Sequence, residues 1–139
     1  MTLRDQPAML RPRLSSIVAQ LFVTDFAAAC AFYTDILGFS VAFTYGSPPY
    51  YGQLVRDNAH IALRLVCGPV YVDGIREREH LLSASITLDT AAETKALFTE
   101  LQAKSVQFHQ PLRTQPWGAR DFVVRDCEGN LIHFAGPAQ

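Results

Sequence analysis

The chain contains an internal repeat, and a repeated sequence favours a fold built from two copies of one structural unit. Phe32–Phe43 reads FYTDILGFSVAF, and the segment 65 residues later, Leu97–Phe108, reads LFTELQAKSVQF. A shorter match follows in the same order, with LVRD at Leu54–Asp57 and VVRD at Val123–Asp126. The offset is slightly larger at the second match, as expected when one copy has a longer loop. The sequence therefore predicts a duplication.

The first copy has the residue pattern of a strand, a helix and three further strands. The β-rich run Ile17–Val23 leads to Asp25, whose short carboxylate side chain suits a helix N-cap. Phe26–Leu37 carries apolar residues at helical spacing, and Gly38 is a favourable helix stop. The strands that follow are predicted at Ser40–Tyr45, Tyr51–Arg56 and His60–Val66.

The second copy repeats that order. Thr90 and Glu93 have the spacing of a capping box, so a helix is predicted from there to about Lys104. The strands are predicted at Ala84–Leu88, Val106–His109, Ala119–Arg125 and Asn130–Ala135. The prediction is an α+β fold of two tandem βαβββ modules in a single domain, residues 1–139. Module one covers about 14–67, a linker 68–80, and module two about 81–136.

Each predicted module has a mixed sheet with a helix on one face only. The other face is concave and partly apolar, so it is expected to meet a second sheet. Two such sheets enclose a cleft, and a cleft of this kind is the usual place for a small-molecule site.

The composition excludes several classes of protein. The chain has 12 basic and 13 acidic residues, and this balance does not favour nucleic acid or a membrane surface as a partner. No apolar run approaches the roughly 20 residues of a membrane span, and the N-terminus lacks a secretory signal pattern. The cysteines are isolated, which argues against disulfides and zinc clusters and predicts a cytoplasmic location.

Two segments carry a resemblance to a known family. Val23–Phe43, VTDFAAACAFYTDILGFSVAF, resembles the V-x-D…FY-x-x-LGF signature of the vicinal oxygen chelate superfamily, which includes glyoxalases, dioxygenases and bleomycin-resistance proteins. Thr114–Pro137, TQPWGARDFVVRDCEGNLIHFAGP, resembles the ending of bleomycin-resistance proteins in particular. The resemblance covers roughly residues 16–136 and implies the tandem βαβββ fold.

Enzymes of that superfamily hold a divalent metal with His, Gln or Glu side chains. The matching positions are occupied here by Val18, Ala62, Ser83 and His133. Among these, His133 alone is a usual metal ligand, whereas a site needs three or four converging ligands. A substitute set of Gln20, His60 and His133 would lack a carboxylate. The resemblance therefore predicts no metal, no other cofactor and no catalytic residue.

The resemblance also implies which side chains contact a ligand. In bleomycin-resistance proteins the Trp of QPWG and two Phe residues stack on the drug, and Trp117 and Phe43 match two of them, with Tyr51 in place of the third. The full set of predicted contacts is Trp117, Phe43, Tyr51, Tyr50, Phe122 and His133. Rings of this kind suit a flat hydrophobic or aromatic molecule.

The predicted function is metal-free binding that sequesters an antibiotic-like small molecule in a cleft at the interface of a homodimer. Residues before Leu14 are a candidate arm exchanged between the two copies. The alternative is a metal-dependent enzyme of the same superfamily: a glyoxalase-like isomerase or lyase, a thiol transferase or a dioxygenase. Metal-free catalysis by His133 as an acid or base is a third possibility, but the sequence shows no partner for it. The near-neutral charge differs from that of the acidic dedicated binders of cationic bleomycin, so the ligand stays open.

Overall fold

The computed structural model describes residues 10–68, 70 and 74–139. Within these ranges the strands are β1 Ala19–Val23, β2 Ser40–Tyr45, β3 Tyr51–Arg56, β4 Ala59–Leu65, β5 Leu82–Thr87, β6 Gln107–Thr114, β7 Ala119–Arg125 and β8 Leu131–Pro137. The helices are α1 Phe26–Ala31, which continues as a π-helical turn over Phe32–Ile36, α2 Ile75–Glu79 and α3 Ala91–Ala103. No helix in this part of the chain has both the length and the apolar composition needed to cross a membrane.

The strands form two mixed sheets with the same internal order. One sheet runs β1-β4-β3-β2 and the other β5-β8-β7-β6. In each sheet the first strand of the module pairs parallel to the last one, and the other pairs are antiparallel. The prediction of two tandem βαβββ modules with an α+β fold is confirmed.

The helix ends follow from local hydrogen bonds that the sequence predicts. The Asp25 carboxylate accepts a hydrogen bond from the backbone N–H of Ala28 at 3.0 Å, and α1 begins at Phe26. Gly38, after the helical segment, has a φ of 74°, which a residue without a Cβ adopts at little cost. At α3 the Thr90 hydroxyl accepts from the N–H of Glu93 at 3.0 Å.

Two regions differ from the predicted pattern. Strand β6 extends to Thr114, well beyond the predicted end at His109. The register of β6 shifts twice against β7, and these bulges break the alternation of residues by which a strand is predicted from sequence. Pro111 also lies inside β6, and proline is unfavourable within a strand. The predicted linker contains α2, whose C-cap His80 has a left-handed backbone with a φ of 53°.

One hydrophobic core joins the two modules. It lies on the helix-facing sides of both sheets and includes Leu21, Val23, Ile61, Leu63, Leu101, Phe122, Val124, Ile132 and Phe134, each less than 5% exposed. Helix α1 packs on β4, and α3 packs on β7 and β8. The sheet faces opposite this core are the surfaces left for function.

Polar contacts between the modules surround the core. The buried Tyr33 hydroxyl donates to the Asp126 carboxylate at 2.7 Å. At the other end of the module contact, Arg56 pairs with Glu100 at 3.1 Å. The Glu128 carboxylate accepts hydrogen bonds from the backbone N–H of Asp25 at 2.8 Å and from the Thr24 hydroxyl. These bonds set how the two modules are oriented.

Candidate functional site

Several aromatic residues lie on the face of the first sheet that points away from the core. Residues directly opposite each other on paired strands share a face. Phe43 lies opposite Gln53, which lies opposite Ala62, whereas the alternate positions Leu54 and Ile61 are buried toward the helix. Tyr45 lies opposite Tyr51 and Gln20 opposite Ala62, so these side chains share the same outward face.

We call the surface formed by Phe43, Tyr45, Tyr50 and Tyr51 the ring face. The centroids of Phe43 and Tyr51 are 6.1 Å apart, and those of Tyr45 and Tyr50 are 5.7 Å apart in an edge-on arrangement. Phe43 is 47% exposed and Tyr45 64% exposed, so the second module of the same chain does not cover them. The structure thus brings three of the predicted contact residues together and adds Tyr45. A groove with two walls requires a second surface over these rings.

Trp117 lies in the turn between β6 and β7 and is 73% exposed. The following residue, Gly118, has a φ of 89°, and its N–H donates to the carbonyl of Gln115, so the turn is well defined. The strand before this turn, β6, is the outer strand of the second sheet, while Phe43 belongs to the outer strand of the first. No ring stacks on Trp117 in the described part of the chain.

Phe122 belongs to the core, which corrects its place among the predicted ligand contacts. It is fully buried, with its ring 5.3 Å from that of Phe98 and 5.2 Å from that of Phe134. Strand β7 alternates, so Phe122 and Val124 face α3 while Asp121 points to the opposite face. The QPWG motif identifies this segment of the chain, but it does not show which side chains of the following strand face the core.

His133, on the outward face of the second sheet, is held by two polar side chains that sequence reasoning missed. Its Nδ1 atom lies 2.7 Å from the Ser85 hydroxyl and its Nε2 atom 2.9 Å from Oδ2 of Asp121. The other Asp121 oxygen accepts from the amides of Gln110 at 2.8 Å and Gln115 at 2.9 Å. A carboxylate directly before the apolar run Phe122–Val124 of β7 was the available signal for Asp121.

The charge of Asp121 follows from these contacts. Burial raises the pKa of this carboxyl, but the hydrogen bonds from His133, Gln115 and Gln110 lower it by more, so the net pKa is below its usual value. Asp121 is therefore an ionised acceptor near neutral pH. Because a carboxylate cannot donate, the proton of neutral His133 lies on Nε2, and Nδ1 has the lone pair that accepts the Ser85 hydroxyl.

The residues at the family's metal positions do not fit a metal ion. Both ring nitrogens of His133 are engaged, so coordination would break its bond to Ser85 or to Asp121. The Ser83 hydroxyl donates to the side-chain oxygen of Asn130 at 3.2 Å. Among residues 10–68, 70 and 74–139, no three His, Cys, Asp or Glu side chains are grouped so that they could hold a metal.

Comparison with known proteins gives one family and many similar structures. Residues 13–134 match the family model described as Glyoxalase/Bleomycin resistance protein/Dioxygenase superfamily. A bleomycin-binding protein from Streptomyces verticillus, complexed with copper(II)-bleomycin, is 22% identical with a TM-score of 0.65, covering 89% of this chain and 97% of its own. Lactoylglutathione lyase from Agrobacterium tumefaciens is 18% identical with a TM-score of 0.68, covering 90% and 95%.

A further similar structure is a glyoxalase/bleomycin resistance protein/dioxygenase from Nocardioides, 18% identical with a TM-score of 0.69, covering 99% of this chain and 92% of its own. No curated protein matches the sequence. At these identities the structural similarities establish the fold and do not identify a ligand.

Proposed function

Because the chain belongs to the Glyoxalase/Bleomycin resistance protein/Dioxygenase superfamily, we propose that it binds and sequesters a flat aromatic or hydrophobic small molecule of an antibiotic-like kind. The observation that carries this proposal is the ring face, where aromatic side chains on neighbouring strands are left uncovered by the rest of the chain that the structure describes. The ring face offers stacking surface and holds a ligand without changing its bonds.

The chemistry of the ring face favours a planar ligand. Phe43, Tyr45 and Tyr50 are each about half exposed or more, at 47%, 64% and 49%. An aromatic contact adds about 0.5–1.5 kcal/mol beyond the burial of apolar area, so two or three rings supply useful affinity together. The Tyr51 hydroxyl accepts from the Gln53 amide at 2.9 Å, which holds one ring in place beside Phe43.

We place the closed cleft at a homodimer interface. A second copy is needed to bring Trp117 opposite the ring face. Within one chain Phe43 lies on an outer strand of the first sheet, whereas Trp117 lies in the turn that follows β6, an outer strand of the second sheet. The segment before β1 also exposes apolar side chains, with Leu10 90%, Leu14 97% and Ile17 87% exposed, which fits an arm that packs on a partner. Residues 1–9 of this candidate arm lie outside the described residues.

The relatives support both the ligand class and an alternative. The bleomycin-binding protein of Streptomyces verticillus is a structural neighbour that binds a drug, whereas the lyase of Agrobacterium tumefaciens is an enzyme. The binding role is favoured because His133 has no free nitrogen for a metal.

A cytoplasmic location is part of the proposal, since Cys30, Cys67 and Cys127 are free thiols.

The test uses Trp117, the single tryptophan of the chain, as a fluorescent reporter. Bleomycin and acridine are titrated, and binding beside Trp117 is expected to quench its emission. Phe43→Ala should weaken binding at least about tenfold, which corresponds to about 1.4 kcal/mol of lost contact. Val41→Ala is the matched control, because Val41 is 45% exposed on the same strand but lies opposite the helix-facing Leu54.

Trp117→Ala is measured by calorimetry, since it removes the reporter, and the same loss of affinity is expected. Unchanged affinity in this variant would remove Trp117 from the site. Failure of both bleomycin and acridine to bind would contradict the ring face as the ligand surface. Equal affinities of Phe43→Ala and Val41→Ala would contradict it as well. The dimer is checked by light scattering at micromolar concentration, where a monomer would refute it.

A further inference from the structure

Ser85, His133 and Asp121 form a continuous hydrogen-bonded row on the outward face of the second sheet, which we call the triad. They lie on β5, β8 and β7, three strands that are adjacent in that order. Ser85 and His133 are direct cross-strand partners, with 2.7 Å between the hydroxyl oxygen and Nδ1. The distance from Nε2 to the Asp121 carboxylate is 2.9 Å.

We propose that Ser85 is a nucleophile activated by His133, and that the protein accepts acyl groups from activated carboxylic esters. A hydroxyl, a base within hydrogen-bond reach and a third group that orients the base are the arrangement that makes serine reactive. This activity goes beyond ligand binding and does not rest on it, because the triad belongs to module two and the ring face to module one.

The protonation state required for this chemistry follows from the contacts of Asp121. Asp121 is 3% exposed and receives hydrogen bonds from both Gln110 and Gln115, so its position is fixed and it acts as an acceptor. It therefore holds the proton of His133 on Nε2 and directs the basic Nδ1 toward Ser85. Asp121 is a positioning residue, since it acts through His133.

Solvent exposure decreases along the triad from Ser85 to His133 to Asp121. The Ser85 side chain is exposed, the His133 side chain is 18% exposed, and the Asp121 side chain is 4% exposed. An incoming carbonyl carbon can thus reach the nucleophile, while the carboxylate stays shielded from water. Because all three residues lie on paired strands, their geometry is held by the sheet rather than by a loop.

The reaction balances without a further reagent. The Ser85 hydroxyl oxygen bonds to the carbonyl carbon of the ester, and its proton passes to Nδ1 of His133. The bond from that carbon to the leaving oxygen then breaks, and the leaving group departs with the proton from His133. Water attacks the acyl-Ser85 ester while His133 accepts a proton from it and then returns this proton to the departing Ser85 oxygen, which releases the carboxylic acid and restores Ser85. An aryl ester fits best, because a phenol oxygen is a far better leaving group than the oxygen of an alkyl alcohol.

The test mixes the purified protein with 4-nitrophenyl acetate, follows nitrophenolate release, and locates the acetyl group by peptide mass spectrometry. Acetylation at Ser85 is expected, and Ser85→Ala should abolish it. Ser83→Ala is the matched control, because the Ser83 hydroxyl lies on the same strand but donates to the Asn130 amide instead of a base. This variant should react like the unmodified protein.

Three further variants separate activation from mere exposure of a serine. His133→Gln should slow Ser85 acetylation about 10²–10⁴-fold, the usual contribution of a positioned base. Asp121→Asn should slow it to a similar extent, because an amide can donate to Nε2 and leave Nδ1 protonated, whereas Asp121→Glu should recover part of the rate.

Acetyl found on Ser83, a lysine or a cysteine instead of Ser85, or no acetylation, overturns the proposal. Equal rates in His133→Gln and the unmodified protein overturn it as well. Locating the acetyl group in the unmodified protein does not depend on whether any variant folds. Circular dichroism checks that Asp121→Asn is folded. Quenching of Trp117 by acridine should persist in Ser85→Ala, so a failure of the ring face and a failure of the triad give different results.

Discussion

Replacing Tyr33 with phenylalanine removes a buried hydroxyl that joins the helical segment of module one to the β7–β8 turn of module two. The hydroxyl donates to Asp126 at 2.7 Å, and the exposed fractions are 1% for Tyr33 and 4% for Asp126. The ring is kept, so no large cavity forms. The cost is that of a hydrogen bond to a charged acceptor, about 1.5–3 kcal/mol of unfolding free energy.

The other hydrogen bonds to the Asp126 carboxylate keep the loss of unfolding free energy within that range. Its Oδ1 atom accepts from the backbone N–H groups of Glu128 and Asn130, both at 2.8 Å, and its Oδ2 atom also accepts from the Asn130 side chain at 3.0 Å. The carboxylate therefore keeps three donors when the Tyr33 hydroxyl is removed. A loss larger than about 3 kcal/mol is not expected.

Urea denaturation measures the effect. With a slope of about 1–3 kcal/mol per molar urea, the midpoint should fall by roughly 0.5–3 M without a change in slope. Tyr45→Phe is the matched control, because Tyr45 is 64% exposed, and its effect should stay within about 0.5 kcal/mol.

The pH dependence of stability provides a second readout. Burial, and then the charge of Asp126, raise the pKa of Tyr33 well above its ordinary value of 10.0. Above pH 10 the unfolded chain releases this proton while the folded chain keeps it, so stability falls as pH rises. Tyr33→Phe should lack this share of the decline. A midpoint equal to that of Tyr45→Phe, with the same alkaline slope as the unmodified protein, would refute the reasoning.

Two other predictions follow from burial. Phe122→Ala should cost about 3–5 kcal/mol in urea denaturation, because Phe122 is fully buried, whereas Phe43→Ala should cost less than about 1 kcal/mol; similar costs would contradict their assignment to core and ring face. Cys127 is exposed as a whole residue, but partial desolvation of its thiol, followed by the charges of Asp126 and Glu128, raises its pKa to about 11. Iodoacetamide at about pH 8 should therefore alkylate it at least about tenfold more slowly in the folded chain than in urea. Equal rates by peptide mapping would argue against that environment.

The features that the sequence predicts well are those determined by near neighbours in the chain. The N-caps at Asp25 and Thr90 and the stop at Gly38 each depend on a few adjacent residues, and the structure has helix ends at these places. The bounds of β2, β3 and β7 match their predicted ranges, because turn residues separate them from the preceding elements. The repeat then predicts the βαβββ order of both modules, since similar segments adopt similar local structure.

The sequence also predicts three of the four aromatic residues of the ring face, Phe43, Tyr50 and Tyr51, but not which other predicted contacts lie near them. It places Phe43 and Trp117 in one ligand site at a homodimer interface, and this stays a prediction; within a single chain the two residues belong to different sheets or their turns. It includes Phe122 among the contacts, although that ring packs under α3. Strand alternation predicts two faces, and which face meets the helix is decided by how the sheet packs.

By itself, then, the sequence determines the duplicated fold and its family, because caps, turns and alternation act over a few residues and are visible in one dimension. The triad is decided by tertiary structure alone. Ser85 and His133 are 48 residues apart and meet through the register of β5 on β8, which shifts between Leu82 and Ala84. Since a shift of one residue turns a side chain to the other face of a sheet, only the assembled pairing shows that the hydroxyl, imidazole and carboxylate lie in line.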